Sequence, residues 1–205
     1  MDEQVLRSLV KWPNVPQCFG WLALDRRGQW RMRDEYAQHH RLPGSPIVHS
    51  ALNEFIARNY ARDSMGQYFF QNGPQRVYIT LDATPWIARL IPHKDAFILQ
   101  TQCHSSIKAE GALCDEFGNV YITGLISQNC CDDSNSNHFT HLDRLSVALL
   151  HDHDLDLFSG FAKVHQDACS FKGSWAWNGA TLPLDPIGFE ELSSRFEFIK
   201  NPKKS

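Results

Sequence analysis

Apolar and polar residues alternate in several short segments of this chain, and turn residues separate the segments. The candidate turns are 25–28, 72–74, 115–119 and 178–179, each with an Asn-Gly or Asp-x-x-Gly pattern. Such turns are typical of hairpins because Gly and Asn accept the positive φ that tight turns require. Four hairpins predict an antiparallel, twisted β-sheet, curled towards a barrel, as the main element of the fold.

Two segments follow the 3.6-residue spacing of a helix instead. Ser45 and Pro46 have the residue types of an N-cap and a first helical position, and the apolar stripe that follows predicts a helix over 46–62. Asp185 precedes a second such stripe, which predicts a C-terminal helix over 186–199. The predicted fold class is therefore α+β, with the first helix packed on one face of the sheet.

A polar stretch at 127–137 is the main break in composition. It marks a long loop or a boundary before a C-terminal subdomain. Because hairpin and aromatic patterns continue beyond it, we favour a single domain over 1–205, a length that one core can support.

The start of the chain and its cysteines indicate a cytoplasmic protein. The segment MDEQVLRSLVKW begins with acidic residues and lacks the apolar core of a signal peptide, and no run approaches the roughly 18 apolar residues of a membrane span. The six cysteines show no CxxC spacing, which predicts reduced thiols. The adjacent Cys130 and Cys131 are interpreted as incidental thiols of the polar loop.

Charge is distributed unevenly along the chain. Residues 1–100 hold 12 Lys and Arg against 9 Asp and Glu, whereas residues 101–205 hold 8 against 14. Residues 110–167 contain ten Asp and Glu but only two Lys and Arg. This acidic tract argues against a nucleic-acid partner, which needs a concentrated basic face, and would suit a divalent cation or a basic partner.

The densest polar group is HDHD, from His151 to Asp154. In an extended strand His151 and His153 would share a face, and imidazole suits zinc or iron. The metallo-β-lactamase pattern HxHxDH fails because Leu155 and Asp156 follow, and no Glu follows closely enough for a cupin.

A divalent-metal site at His151, His153 and Asp154 therefore needs another ligand. The candidates are His138, His141 and His165. The alternative is a solvated turn at the end of a buried strand or helix over 145–150.

Four arginines near the first hairpin form a second candidate site: Arg26, Arg27, Arg31 and Arg33. The planar guanidinium fork suits phosphate or carboxylate, so they predict an anion or partner surface, and one partner could be the acidic tract of the same or a neighbouring subunit. The alternative is the solvated face of a hairpin.

Three blocks, at 12–31, 52–63 and 66–90, carry a resemblance to a known family. They resemble a family of cytoplasmic proteobacterial proteins catalogued as a domain of unknown function. The resemblance implies a soluble bacterial protein and transfers no catalytic residues.

Common catalytic signatures are absent from the sequence, including GxSxG and the glycine-rich phosphate loops. The leading hypothesis is a non-enzymatic binding or interaction protein for a protein or small-molecule partner, away from membranes. One alternative is a metal-dependent, hydrolase-like enzyme using His151, His153 and nearby acids. The other is a homodimeric assembly protein that pairs sheets between subunits.

Overall fold

The computed structural model describes residues 1–94, 96–131, 139–167 and 170–204. Within them the strands are β1 Cys18–Leu24, β2 Trp30–Met32, β3 Ser45–Pro46, β4 Tyr60–Arg62, β5 Tyr68–Asn72, β6 Gln75–Leu81, β7 Trp86–His93, β8 Ala96–Thr101, β9 Ile107–Cys114, β10 Val120–Cys131, β11 Phe139–Leu150, β12 Ala162–Asp167, β13 Ser170–Trp177 and β14 Ala180–Pro186. The helices are α1 Glu3–Lys11, α2 Glu35–His39, α3 Ser50–Arg58, α4 Leu155–Ser159 and α5 Glu191–Arg195, with a 3₁₀ turn at Asp152–Asp154. No helix in the described part of the chain is long and apolar enough to cross a membrane.

The strands join one hydrogen-bonded sheet that curls into a half-barrel. The four predicted hairpins are confirmed as the antiparallel pairs β1–β2, β5–β6, β9–β10 and β13–β14. The prediction of a purely antiparallel sheet was wrong, because four strand pairs are parallel: β1–β6, β4–β10, β7–β11 and β9–β14. These parallel pairs join strands from different hairpins, and hairpin turns carry no information about such long-range pairing.

The helix predicted over 46–62 is shorter, because both of its ends belong to the sheet. Ser45 and Pro46 pair with β2 instead of capping a helix. The observed α3 begins at Ser50, where the ring Nδ1 of His49 accepts a hydrogen bond from the Leu52 amide at 3.3 Å. It ends at Arg58, because the chain then pairs with β5.

The helix predicted over 186–199 also starts later than expected. Asp185 and Pro186 pair with β9 as the end of β14, so α5 spans only Glu191–Arg195. Sequence reasoning missed α1, α2 and α4, which are short, and the last two have five residues each.

One five-residue turn recurs in the fold, beginning at Asp25, Asp63 and Asp115. In each copy the Oδ1 of Asp accepts hydrogen bonds from the amides two and four residues later, at 2.9–3.0 Å. The fourth residue is a Gly with φ of 78–81°, the left-handed conformation that Gly adopts without a steric penalty. The aspartate thus supplies the acceptor that holds each tight connection together.

A fourth copy of this turn has a different sequence. The hydroxyl of Thr101 accepts from the amides of Cys103 and Ser105, and His104 occupies the glycine position with φ of 62°. A left-handed conformation is uncommon for a residue with a Cβ, although His is among the residues enriched there. This copy carries no Asp-x-x-Gly signal.

The segment 197–202 closes over strands that lie far earlier in the chain. The Leu81 amide donates to the Lys200 carbonyl at 2.8 Å, and the Ile199 amide donates to the Gly66 carbonyl at 3.0 Å. The Arg62 guanidinium donates to the Glu197 carbonyl at 2.8 Å. These bonds fix the late segment along β6 and the Asp63 turn.

Candidate functional site

The HDHD group forms a compact turn at the end of β11, as the second of the two sequence interpretations predicted, and not an extended strand. The His151 amide donates to the Ala88 carbonyl at 3.0 Å, which ends β11, and Asp152–Asp154 then make one 3₁₀ turn. The His153 amide donates both to Nδ1 of His151 at 3.1 Å and to Oδ1 of Asp152 at 3.0 Å. Both side chains therefore cap the turn that contains them.

The turn brings together three groups that could hold a metal. Ligand atoms of His151, Asp152 and His153 all lie within 4.8 Å of one another. His151 is buried, whereas Asp152 and His153 are exposed. The carboxylate in this group is therefore Asp152, in place of the predicted Asp154.

Asp154 faces the opposite way and serves a structural contact. It is buried, and its carboxylate accepts from Nε of Arg89 at 2.7 Å and from the Leu90 amide at 2.9 Å. These bonds tie the turn to β7. Because both carboxylate oxygens are used by Arg89 and Leu90, Asp154 is not available to the two imidazoles.

The histidines considered as further ligands do not join this cluster within the described residues. His141 lies on β11 and bonds to Ser127 at 2.8 Å. His138 and the side chain of His165 lie outside the part of the chain that the structure describes. The acids at 132 and 133 lie outside it as well.

Two arginines set the electrostatics of the turn. Arg27 donates to Oδ2 of Asp152 from Nε and Nη2, at 3.1 and 2.6 Å, and this hydrogen bonding lowers the pKa of that carboxyl. Burial, followed by the charge of Arg89, lowers the pKa of His151. The lowered pKa favours the neutral imidazole of His151, and its Nδ1 lies 2.9 Å from Oδ1 of Asp152, the carboxylate oxygen that arginine leaves free.

Each of the four predicted arginines has a partner of its own, and Arg26 and Arg27 line one pocket with Asp152. Arg26 donates to Asn119 at 2.6 Å, and Arg27 contacts Asp152 in the acidic tract. Arg31 donates to the Gly44 carbonyl at 2.7 Å, and Arg33 donates to the Leu42 carbonyl at 3.1 Å. The last two hold the loop after α2 against β2.

Arg33 also lines the wall of a cleft of about 650 Å³. Ala23 of β1, Thr80 of β6 and Asp82, which follows β6, also line it, and the bond between Leu81 and Lys200 brings the late segment alongside. The remaining lining residues are Arg41, Leu42, Pro43, Asn201 and Lys203.

Positive charge predominates in this cleft. The cations are Arg33, Arg41 and Lys203, and the only carboxylate among the described lining residues is Asp82. Burial, followed by the nearby Asp25, raises the pKa of Asp82. Within the described chain, neither Arg41 nor Lys203 makes a side-chain hydrogen bond or ion pair.

Sequence reasoning singled out Arg33 but gave no role to Lys203. The signal for it was weak, because a polar segment such as KNPKKS is typical of a frayed terminus. Only the bond from Leu81 to Lys200 shows that this segment lies against the sheet.

The vicinal cysteines end β10 and are not in a loop. Cys131 is buried beside Ala61, Phe69 and Tyr78, and burial raises the pKa of its thiol to about 11. A protonated thiol is a poor metal ligand, so Cys131 is a core residue.

These features define a mixed, half-barrel β-sheet protein with a cationic cleft. A family model named DUF2944, whose description reads "Protein of unknown function (DUF2946)", matches residues 1–203. The chain belongs to this family, which confirms the predicted membership of a family of unknown function.

A solved structure gives a weaker similarity. A DUF1285 family protein from Silicibacter pomeroyi DSS-3 matches with 14% identity and a TM-score of 0.43, over 88% of this chain and 87% of that one. A search of curated proteins found no match.

Proposed function

We propose that this protein binds a small anionic ligand, bearing phosphate or carboxylate groups, in the cationic cleft. The observation that carries the proposal is that Arg41 and Lys203 face one cleft without a partner among the described residues. Unpaired cations in a concave site lined by polar groups favour a bound anion. The reason is that hydrogen bonds between charged groups are stronger than those between neutral groups. The cleft volume of about 650 Å³ lies within the range of small-molecule sites.

The cleft offers a mixture of donors for such a ligand. Arg33 is held by its bonds to Leu42 and Thr80, so its guanidinium is preorganised. The Asn201 amide and the Thr80 hydroxyl add neutral donors beside it. A rigid arginine beside two unpaired cations suits an anion with more than one charged oxygen.

Calorimetric titration with inorganic pyrophosphate tests this proposal. The double variant Arg41→Glu/Lys203→Glu should bind at least about tenfold more weakly, because hydrogen bonds to charged groups are worth roughly 1.5–3 kcal/mol each. Lys108→Glu is the matched control, since Lys108 is an exposed lysine on β9 that is not among the cleft residues.

Two results would count against the anion site. One is no heat of binding with pyrophosphate, citrate or sulfate at low salt. The other is an equal loss of affinity in the Lys108→Glu control, which would indicate nonspecific attraction to the whole surface.

We propose divalent-metal binding by His151, Asp152 and His153 as a second candidate function. It is supported by the convergence of their ligand atoms within 4.8 Å. Two imidazoles and a carboxylate are ligands that zinc accepts, and three protein ligands leave a position for water. The nearby Arg27 opposes binding, because it occupies Oδ2 of Asp152.

Zinc titration followed by calorimetry tests the metal proposal. His151→Gln and Asp152→Asn should abolish binding, whereas Arg27→Ala should strengthen it by freeing Oδ2 and removing a positive charge. The adjacent His39 and His40 are a matched control, since their ring centroids lie 4.9 Å apart and those of His151 and His153 lie 4.8 Å apart. Loss of zinc binding in His39→Gln/His40→Gln alone would refute the assignment.

A further inference from the structure

A second histidine site lies at the far end of β10 and β11 from the HDHD turn. Ser127, Asn129 and His141 line a cavity of about 230 Å³, whose other walls include Tyr60, Trp86 and Cys103. Asn129 pairs with His141 across the two antiparallel strands, and Ser127 is two residues from Asn129 on the same face. The strand register therefore places the three side chains together.

The orientation of the Asn129 amide is fixed by its neighbours. Its Nδ2 donates to the carbonyls of Tyr60 at 3.1 Å and Arg58 at 3.4 Å, which can only accept. Its Oδ1 consequently faces His141 Nδ1 at 3.4 Å, and the amino group of Met1 also donates to this oxygen at 3.3 Å.

This orientation determines the tautomer of His141. Because Oδ1 of Asn129 only accepts, the proton of the neutral ring lies on Nδ1. Nε2 then carries a lone pair, and it lies 2.8 Å from Oγ of Ser127. The Ser127 hydroxyl therefore donates to His141, as a serine does to its general base.

The order serine, histidine and acceptor is the arrangement that activates a hydroxyl for acyl transfer. Trp86 lines the same cavity, and its buried indole N–H lies near the hydroxyl of Tyr68. Burial raises the pKa of the Cys103 thiol in this cavity, which makes Cys103 the poorer nucleophile.

We propose that Ser127 is a nucleophile that accepts short acyl groups from esters, with His141 as its general base and Asn129 as a positioning residue. The Ser127 oxygen attacks the carbonyl carbon while its proton passes to Nε2 of His141. The bond from carbon to the leaving oxygen then breaks, and that oxygen takes the proton from His141. Water releases the acyl group by the same route, so the net reaction is ester hydrolysis. A cavity of about 230 Å³ restricts the acyl group to a few carbons.

The test uses the full chain and p-nitrophenyl acetate, with p-nitrophenolate release followed by absorbance and the acetylated residue identified by peptide mass spectrometry. We expect acetyl-Ser127, and a rate at least about hundredfold lower in Ser127→Ala and His141→Gln. Asn129→Ala should lower kcat more than it raises KM, and Asn129→Asp, which keeps an acceptor for Nδ1–H, should restore most of kcat.

Ser105→Ala is the matched control, because Ser105 lines the same cavity without a histidine partner. Its rate should equal that of the unmodified protein. Acetylation confined to lysines or to Ser105, or an unchanged rate in a folded His141→Gln variant, would overturn the proposal. If His141→Gln does not fold by circular dichroism, acetylation and rate in Ser127→Ala decide the question.

Discussion

The two histidine clusters differ in how the chain brings them together. His151, Asp152 and His153 are consecutive, whereas Ser127, Asn129 and His141 are separated by up to 14 residues and meet only through the pairing of β10 with β11. In the first cluster the polar atoms are used largely by local capping and by arginines. In the second, one imidazole nitrogen is directed at a hydroxyl beside a cavity.

The comparison shows that density along the sequence is a poor guide to an available site. Consecutive polar residues compete for the backbone amides of their own turn, as the His153 amide shows by bonding to both of its predecessors. Residues on paired strands have their backbone groups satisfied by the sheet, so their side chains remain free to interact with one another.

The largest effect on stability should come from Asp154 in the first cluster. Asp154→Asn should lower the free energy of unfolding by about 1.5–3 kcal/mol, because it weakens the hydrogen bonds that the buried Asp154 carboxylate accepts from the Leu90 amide and from the partly exposed Arg89. Urea unfolding followed by circular dichroism measures the loss. Asp156→Asn is the control, since Asp156 is exposed and only two residues away. An equal loss in both variants would contradict the structural role of Asp154.

A smaller loss should follow from the second cluster. Asn129→Ala removes the donors to the Tyr60 and Arg58 carbonyls and should cost about 1 kcal/mol in urea unfolding, because those groups are only partly buried. The nuclear magnetic resonance signal of the His141 ring should also change, as Nδ1 loses its acceptor. An unchanged tautomer in this variant would show that Asn129 does not orient the ring.

The pH dependence of stability should identify His151. Its pKa is lowered in the folded protein, so the unfolded chain takes up a proton first as the pH falls below about 6.5. Stability is therefore complete above that pH and decreases below it. Between about pH 7.5 and 5.5 the free energy of unfolding should fall less in His151→Gln than in the unmodified protein. The same fall in both proteins would assign the effect to other groups.

The smallest effect should come from the exposed pair of Arg27 and Asp152. Asp152→Asn and Arg27→Ala should leave the urea midpoint unchanged, because exposed ion pairs are screened by water and salt. A clear loss in both variants, absent at high salt, would show that this pair holds the first hairpin to the HDHD turn.

The parts of the fold that the sequence predicts are those set by local chemistry. The turns at 25–28 and 115–119 were found because Asp and Gly occupy fixed positions within them. The equivalent turn at Asp63 has the same Asp-x-x-Gly signal, yet no hairpin was predicted there, because the segment before it was assigned to a helix over 46–62. The turn at Thr101 was not predicted from the sequence. In it the Thr101 hydroxyl replaces the usual Asp acceptor, and His104 replaces the left-handed Gly.

The remaining features depend on contacts between distant residues. Pro46 looks like the start of a helix, and only its pairing with β2 places it in a strand. The cationic cleft needs Arg41 and Lys203 from opposite ends of the sequence, and the second histidine cluster needs the register of β10 against β11. Such pairings depend on which side chains are buried across the whole sheet, and a short stretch of sequence does not contain that information.

The late segment has a consequence for the order of folding during synthesis. Gly66 and Leu81 leave the ribosome well before Ile199 and Lys200, whose backbone groups they bond. β6 and the Asp63 turn must therefore wait for more than a hundred residues of translation before their last hydrogen bonds form, and such long-range closure is slow. A nascent chain stalled before residue 197 would expose these unpaired backbone groups to chaperones and to neighbouring chains.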